Sequence, residues 1–77
     1  MKVNVSCFGT LDIKGLDDDG SVEVEAGATV EQVLNLLPLD HRIRKHLPVM
    51  VNGKLEKHSH PLKDGDELVL VIPAPGG

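Results

Sequence analysis

Residues 61–72 read Pro-Leu-Lys-Asp-Gly-Asp-Glu-Leu-Val-Leu-Val-Ile, and this stretch decides the fold. Asp64-Gly65 predicts a turn, because both residue types favour the backbone angles that a chain reversal needs. The run from Glu67 to Ile72 is apolar after its first residue, which is typical of a strand covered on both faces. We therefore predict a final strand at the centre of a sheet, parallel to the first strand of the chain.

A hairpin is predicted just before this stretch. Apolar residues there alternate with others, as in a strand that buries one face: Leu47, Val49 and Val51. Asn52-Gly53 then supplies the turn, because both residue types tolerate the positive φ angles of a two-residue hairpin loop. The returning strand, Lys54 to Lys57, must be short because Pro61 interrupts it.

The first part of the chain predicts a second hairpin. Residues 1–8 alternate as in a half-buried strand, with these side chains on the inner face: Val3, Val5 and Cys7. Ser21 to Glu25 repeats the alternation, with Val22 and Val24 inward and Ser21 outward. Gly15 to Gly20 lies between them and is typical of a turn, so the two strands are expected to pair.

One helix is predicted between the hairpins. Thr29 is a good N-cap, and Gln32 three positions later completes a capping box. The apolar residues that follow have helical spacing on one face: Val30, Val33, Leu34 and Leu37. Pro38 ends the helix. Leu39 to His46 predicts at most a short helical turn.

The predicted order is β-β-α-turn-β-β-β, an α+β fold in which one main helix packs on a four- to five-stranded mixed sheet. Residues 1–72 form the domain, and residues 73–77 form an extended arm. Pro73 and Pro75 have no N–H, so strand pairing stops before them. Gly76 and Gly77 have no Cβ and can pass through a narrow slot. The arm spans at most roughly 17 Å, which would reach into a partner's active site.

The composition excludes several classes of protein. The 77 residues suffice for one small domain, and a net charge of −4 argues against nucleic-acid binding, which needs a basic face. The single cysteine, Cys7, excludes an internal disulfide and indicates a reducing compartment. No leader-like segment opens the chain, and no apolar run approaches the ~20 residues of a membrane helix. We expect a cytoplasmic protein that binds neither nucleic acid nor membrane.

Three motifs, taken with this fold pattern, resemble a known family. They are Val51-Asn52-Gly53, then Pro61 to Glu67, then Pro73-Ala74-Pro75-Gly76-Gly77. Their order and spacing are similar to those of the small sulfur carriers of the MoaD/ThiS-like family, which have the β-grasp (ubiquitin-like) fold. Within that family the chain most resembles the small subunit of molybdopterin synthase. The helix Thr29 to Leu37 also matches in position, whereas the acidic stretch Leu11 to Gly20 departs from the pattern.

The resemblance implies a protein co-substrate and not an enzyme. An E1-like adenylating enzyme would use Mg-ATP to convert the Gly77 carboxylate into an acyl-adenylate, and a sulfur donor would displace AMP to leave a thiocarboxylate. The carrier would bind no cofactor itself and would deliver sulfur to a synthase subunit, with molybdopterin synthesis favoured. Two alternatives use the same terminus: a thiamine-type sulfur carrier, and a ubiquitin-like modifier that forms isopeptide bonds. A third is an interaction module whose terminus does not react.

Partner contacts are expected from the arm and from an apolar patch at its base: Gly76, Pro75, Ala74, Pro73, Phe8, Leu62 and Ile72. Phe8 falls on the otherwise polar face of the first strand, and exposed aromatic residues are common in interface hot spots. Leu62 and one face of the final strand, through Leu68 and Leu70, are expected to join it. The alternative for Phe8 is burial beneath the loop 11–20.

Several remaining features have simple interpretations. His58-Ser59-His60 suggests a metal site, but a solvated loop is favoured because three or four convergent ligands are needed. Asp17-Asp18-Asp19 lacks the ligand spacing of a calcium loop and is interpreted as a solvated turn. Cys7 is expected to be a buried apolar side chain. The basic cluster is either a contact for an acidic partner or a solvated helix face: Arg42, Arg44 and Lys45.

Overall fold

A computed structural model of the chain describes residues 1–8 and 20–71, apart from the side chain of Phe8. Within these residues the elements are β1 (Lys2–Phe8), β2 (Ser21–Glu23), α1 (Val30–Leu36), α2 (His41–Lys45), β3 (Val49–Val51), β4 (Lys54–Glu56) and β5 (Glu67–Val71). The strands form one five-stranded sheet in the order β2-β1-β5-β3-β4. The predicted α+β fold with a mixed sheet is confirmed.

The final strand, β5, lies at the centre of the sheet, as predicted. It pairs in parallel with β1, from Asn4 opposite Glu67 to Phe8 opposite Val71, and antiparallel with β3. Its inner face is fully buried through Leu68 and Leu70. The prediction that both faces are covered is wrong, because Val69 and Val71 are only partly buried.

Both predicted hairpins form. Asn52 and Gly53 have φ angles of 52° and 85°, so each supplies the positive φ that a tight two-residue loop between β3 and β4 requires. β1 and β2 pair antiparallel, and Val24 is buried while Val22 packs against the core. Ser21 was predicted to face outward but is fully buried. No buried side-chain polar atom of the described residues lacks a partner, so this burial is tolerated.

The helix α1 begins where its capping box predicts. The Gln32 amide N–H donates to Thr29 Oγ1, and the Thr29 amide N–H donates to Gln32 Oε1 at 2.8 Å. The apolar stripe packs on the inner face of the sheet and closes the core with these strand residues: Val3, Val5, Val49, Val51, Leu68 and Leu70. The short helical turn predicted after Pro38 is α2. All of α1 therefore lies on one side of the sheet.

Candidate functional site at the open face of the sheet

The turn before β5 is connected to both neighbouring strands by its aspartates. Asp64 Oδ1 accepts from the Lys2 amide at 2.7 Å, and the Gly65 amide donates to the Lys2 carbonyl at 2.8 Å. Asp66 accepts from the Asn52 side-chain amide at 3.0 Å through one oxygen and from the Lys63 amide at 2.7 Å through the other. The turn therefore fixes where β5 starts relative to β1 and to the β3–β4 hairpin.

Asn52 closes this arrangement from the hairpin side. Its side-chain oxygen accepts from the Glu67 backbone amide at 2.9 Å, and its backbone amide donates to the Glu67 carbonyl at 2.9 Å. The hydrogen bond from Asn52, supported by the Lys63 amide, lowers the pKa of Asp66 below its ordinary value of 3.8, although partial burial opposes the shift. The motifs around residues 52 and 64–66 thus form one hydrogen-bonded unit, which we call the β5 clamp.

The clamp sets the register of an apolar row across the face of the sheet that α1 does not cover, which we call the open face. Cross-strand pairing aligns Ser6 with Val69, Val69 with Met50, and Met50 with Leu55. Leu55 is 72% exposed, and Met50 and Val69 are partly exposed. Three apolar side chains therefore lie side by side on the open face. Val71, also partly exposed on this face, is the last described residue before the arm.

Of the residues predicted to form the contact patch, the structure describes three side chains, Leu62, Leu68 and Leu70, and none of them is exposed. Leu62 is only 3% exposed, so the prediction that it joins an exposed patch is wrong. Its amide donates to the Ala28 carbonyl at 2.8 Å, which holds its side chain in the core beneath the start of α1. Leu68 and Leu70 are buried as well. The remaining predicted positions lie outside the described residues: Phe8 (side chain), Ile72, Pro73, Ala74, Pro75, Gly76 and Gly77.

The two histidines of residues 58–60 are not freely solvated, because both rings contact neighbouring groups. His58 Nε2 lies 2.6 Å from the Leu47 carbonyl oxygen, and His60 Nδ1 lies 2.6 Å from Glu56 Oε2. Both rings are partly buried. No group of three or more potential metal ligands occurs in residues 1–8 and 20–71. These rings connect the 58–60 loop to the segment before β3, through Leu47, and to β4, through Glu56. The aspartates 17–19 lie outside the described residues.

The exposure and contacts of Cys7 and of the basic cluster bear on two smaller predictions. Cys7 is partly exposed and not buried as predicted, although Leu70, its partner across the sheet, is fully buried. Of the basic cluster, Arg42 and Lys45 are exposed, while Arg44 is partly buried with its Nη2 at 3.3 Å from His41 Nδ1. No carboxylate in the described ranges forms an ion pair with this cluster.

The structure also exposes two apolar side chains that were not predicted at the surface, those of Met50 and Leu55. Met50 and Leu55 were treated as parts of a short hairpin and not as surface residues. Leu55 lies between Lys54 and Glu56 in the edge strand β4, and alternation of charged and apolar residues would predict an inward-facing side chain there. The sequence therefore carried no signal that Leu55 is exposed.

No helix in the described part of the chain is long and apolar enough to span a membrane. A five-stranded mixed sheet with two parallel central strands and one main helix packed on one face is a β-grasp arrangement. The protein is therefore a small ubiquitin-like domain.

Comparison with known proteins narrows this class. The model of the ThiS family matches residues 9–77, and the chain belongs to that family. The crystal structure of SAMP1 from Haloferax volcanii is similar over 100% of both chains, with 25% sequence identity and a TM-score of 0.71. No curated protein sequence matches the chain significantly.

Proposed function

We propose that this protein is a sulfur carrier whose Gly77 carboxylate is adenylated and then converted to a thiocarboxylate. The observation that carries the proposal is the match of the ThiS family model through residue 77, which includes Gly76-Gly77. Proteins of this small ubiquitin-like family are not enzymes themselves and work with E1-like activating enzymes. We place the reaction in the cytoplasm, with Mg-ATP bound by the partner and no cofactor bound by the carrier.

The chemistry explains why a partner is required. A carboxylate is a poor electrophile because its negative charge repels nucleophiles. Attack of a Gly77 carboxylate oxygen on the α-phosphate of ATP would release pyrophosphate and form an acyl-adenylate. Hydrosulfide would then attack the carbonyl carbon, and AMP would leave with the bridging oxygen. The product is a thiocarboxylate, whose sulfur is ionised at neutral pH and can attack an activated carbon in a sulfur-accepting synthase subunit.

We propose that the open face docks the activating enzyme. Its apolar row, Met50, Leu55 and Val69, lies beside Val71, which precedes residues 72–77 in the chain. The Leu55 side chain is 72% exposed, so it contributes little to the stability of the fold and is available for a partner. Contact there would orient residues 72–77 towards the partner's nucleotide site. Phe8 and Ile72 are proposed to extend the same contact.

The proposal is tested by intact-mass measurement. The protein is incubated with an E1-like enzyme of the same organism, Mg-ATP and hydrosulfide. We expect a mass gain equal to the difference between one sulfur and one oxygen atom, and no gain for a variant that lacks residues 76–77. Leu55→Ser should slow the mass gain without changing its final size. An unchanged mass with every E1-like enzyme of the organism would refute the proposal.

For the receiving pathway we propose molybdopterin synthesis, with thiamine synthesis as the alternative. The motif Pro73-Ala74-Pro75-Gly76-Gly77 and the length of the chain support the first choice. Complementation separates the two, because strains lacking either carrier have distinct cofactor requirements. Growth of only the thiamine-requiring strain would overturn our choice of pathway while leaving the carrier function intact.

A ubiquitin-like modifier is the second candidate, supported by the full-length structural similarity to SAMP1. Such a modifier would transfer its activated Gly77 carbonyl to a lysine amine and form an isopeptide bond. Higher-mass conjugates in cell extracts that disappear on deletion of residues 76–77 would support this function. Conjugates together with a thiocarboxylate would indicate that one adenylate serves both reactions.

A further inference from the structure

The end of β5 is connected to the segment before β3 by one main-chain hydrogen bond. The Val71 amide donates to the Pro48 carbonyl at 3.0 Å. Residues that face each other in this way across antiparallel strands usually exchange two bonds, but Pro48 has no N–H and supplies only the acceptor. On its other side Val71 lies beside Phe8 in the parallel ladder with β1. The position of Val71 therefore depends on where the Pro48 carbonyl is held.

The preceding carbonyl, that of Leu47, is bound by a side chain. His58 Nε2 lies 2.6 Å from this oxygen in a partly buried contact. A carbonyl oxygen only accepts, so Nε2 is the ring nitrogen that carries the proton. No backbone N–H of residues 1–8 and 20–71 donates to the same oxygen. Residues 46–48, which connect α2 to β3, are therefore fixed by this bond together with the buried Leu47 side chain.

The helix α2 adds little support to this connection. None of its five residues is buried, and the Leu47 amide reaches the Arg44 carbonyl only at 3.5 Å. A helix this short is marginal without packing. His58 thus supplies a contact that α2 does not.

The loop that carries His58 is anchored to α1. The His58 carbonyl accepts from the Glu31 amide at 2.9 Å, and the His60 carbonyl accepts from the Val30 amide at 3.0 Å. These amides lie in the first turn of the helix, where N–H groups have no acceptor within the helix. Val30 is fully buried, and the His60 ring is held by Glu56 at 2.6 Å. The His58 ring is therefore presented from a rigid base.

We propose that His58 is a positioning residue for the reaction at Gly77. It transmits the fixed position of α1 through residues 46–48 to Val71, and so sets the point from which residues 72–77 continue. In this role the imidazole only donates a hydrogen bond and takes no part in the chemistry. The effect on the reaction rests on the proposed function, whereas the effect on Val71 does not.

The structural part is tested by NMR of the full chain labelled with ¹⁵N. In His58→Ala the Val71 amide should exchange with solvent on the order of fivefold faster, because the loss of the donor loosens the connection that holds its acceptor. The order parameter of the Ile72 amide should fall. The Asn4 amide, which donates to the Asp66 carbonyl at 2.9 Å near the other end of β5, should exchange as before.

The functional part is tested with an E1-like enzyme of the same organism, Mg-ATP and hydrosulfide, by measuring the rate of mass gain against carrier concentration. His58→Ala should lower kcat on the order of tenfold, because small displacements of a reacting group are costly. KM should be nearly unchanged, because the open face is intact, and the final mass gain should be complete. Leu55→Ser should show the reverse split, a raised KM with kcat nearly unchanged.

Matched variants separate the donor from general stability. Glutamine carries its side-chain N–H as many bonds from Cα as His58 Nε2, so His58→Gln should restore both the amide exchange and kcat. His58→Asn is one bond shorter and should restore neither. Val33→Ala, at a fully buried position in the middle of α1, lowers stability by leaving a cavity. It should leave kcat unchanged at a temperature where the variant is folded.

Three outcomes would overturn the proposal and leave the proposed function intact. Unchanged exchange of the Val71 amide in His58→Ala would show that the ring does not hold the end of β5. Faster exchange with unchanged kcat would show that the position of Val71 does not affect the reaction. Equal loss of kcat in His58→Ala and Val33→Ala would show that His58 acts only through stability. Absence of any mass gain with the unmodified chain would refute the proposed function and the positioning role with it, while the amide exchange would still show whether the ring holds Val71.

Discussion

Replacing Asn52 with aspartate is the sharpest test of the β5 clamp. The variant keeps an oxygen that can accept from the Glu67 amide, at 2.9 Å in the unmodified protein, and aspartate tolerates the positive φ of 52° at this position. It loses the amide that donates to Asp66 at 3.0 Å and places a second carboxylate there instead. The substitution therefore changes one hydrogen bond and one charge while leaving the turn intact.

The cost is expected to depend on pH. At neutral pH the lost hydrogen bond accounts for about 1 kcal/mol, and the repulsion between two partly solvated carboxylates for about another 1 kcal/mol. Together they should lower the melting temperature by roughly 10 °C in a domain of this size. Because each carboxylate raises the pKa of the other, one should protonate below neutral pH and then donate to its neighbour. Most of the lost stability should return as the solution is acidified.

The unmodified protein behaves in the opposite sense. The lowered pKa of Asp66 contributes stability that is present above the ordinary value of 3.8 and is lost as pH falls through the lowered pKa. Urea unfolding of both proteins across the acidic range measures the difference directly. Asn52→Gly is the matched control, since it removes the side chain, fits the positive φ and adds no charge. A deficit in Asn52→Asp that stays constant with pH would refute the reasoning.

Three further changes test the packing and local structure. Leu68→Ala, at a fully buried position in the central strand, should lower the free energy of unfolding in urea by about 2–5 kcal/mol. Leu55→Ala on the open face should change it by less than about 0.5 kcal/mol. Similar values for the two variants would contradict the assignment of the two faces. Thr29→Ala should lower the free energy of unfolding by about 1 kcal/mol and reduce helical circular dichroism before global unfolding, since it removes the N-cap of α1. Unchanged stability together with unchanged helical circular dichroism would mean that the capping box does not stabilise the helix. Gly53→Ala should cost about 1 kcal/mol although its Cβ would meet no atom within 4 Å, because φ is +85°; an unchanged melting temperature would show that the loop relaxes.

Local signals in the sequence predicted most of the fold. The capping box of Thr29 and Gln32 and the Asn52-Gly53 turn depend on neighbouring residues, so they could be recognised without the tertiary structure. The central position of β5 followed from the apolar content of residues 68–72. The sequence did not show that the two faces of β5 are buried to different degrees. Val69 and Val71 have the same character as Leu68 and Leu70, and only the position of α1 decides which pair is covered.

The candidate site was harder to predict because it is assembled from different strands. Leu62 has the character of an exposed contact residue in a loop, but its backbone bond to Ala28 places it in the core. Met50 and Leu55 become a surface only when the pairing of β3 with β4 and β5 aligns them with Val69. Such alignment depends on the register of three strands, which no single segment specifies.

The parallel pairing of β1 with β5 has a mechanical consequence. A pulling force applied beyond Val71 and opposed at Met1 acts along both strands. The backbone hydrogen bonds of the ladder from Asn4–Glu67 to Phe8–Val71 therefore bear the force together and do not break one after another. Force spectroscopy between the two ends should therefore record high rupture loads, and a low plateau would contradict this geometry. A partner that pulls on residues 72–77 would therefore load β1 and β5 in shear, and the domain would stay folded.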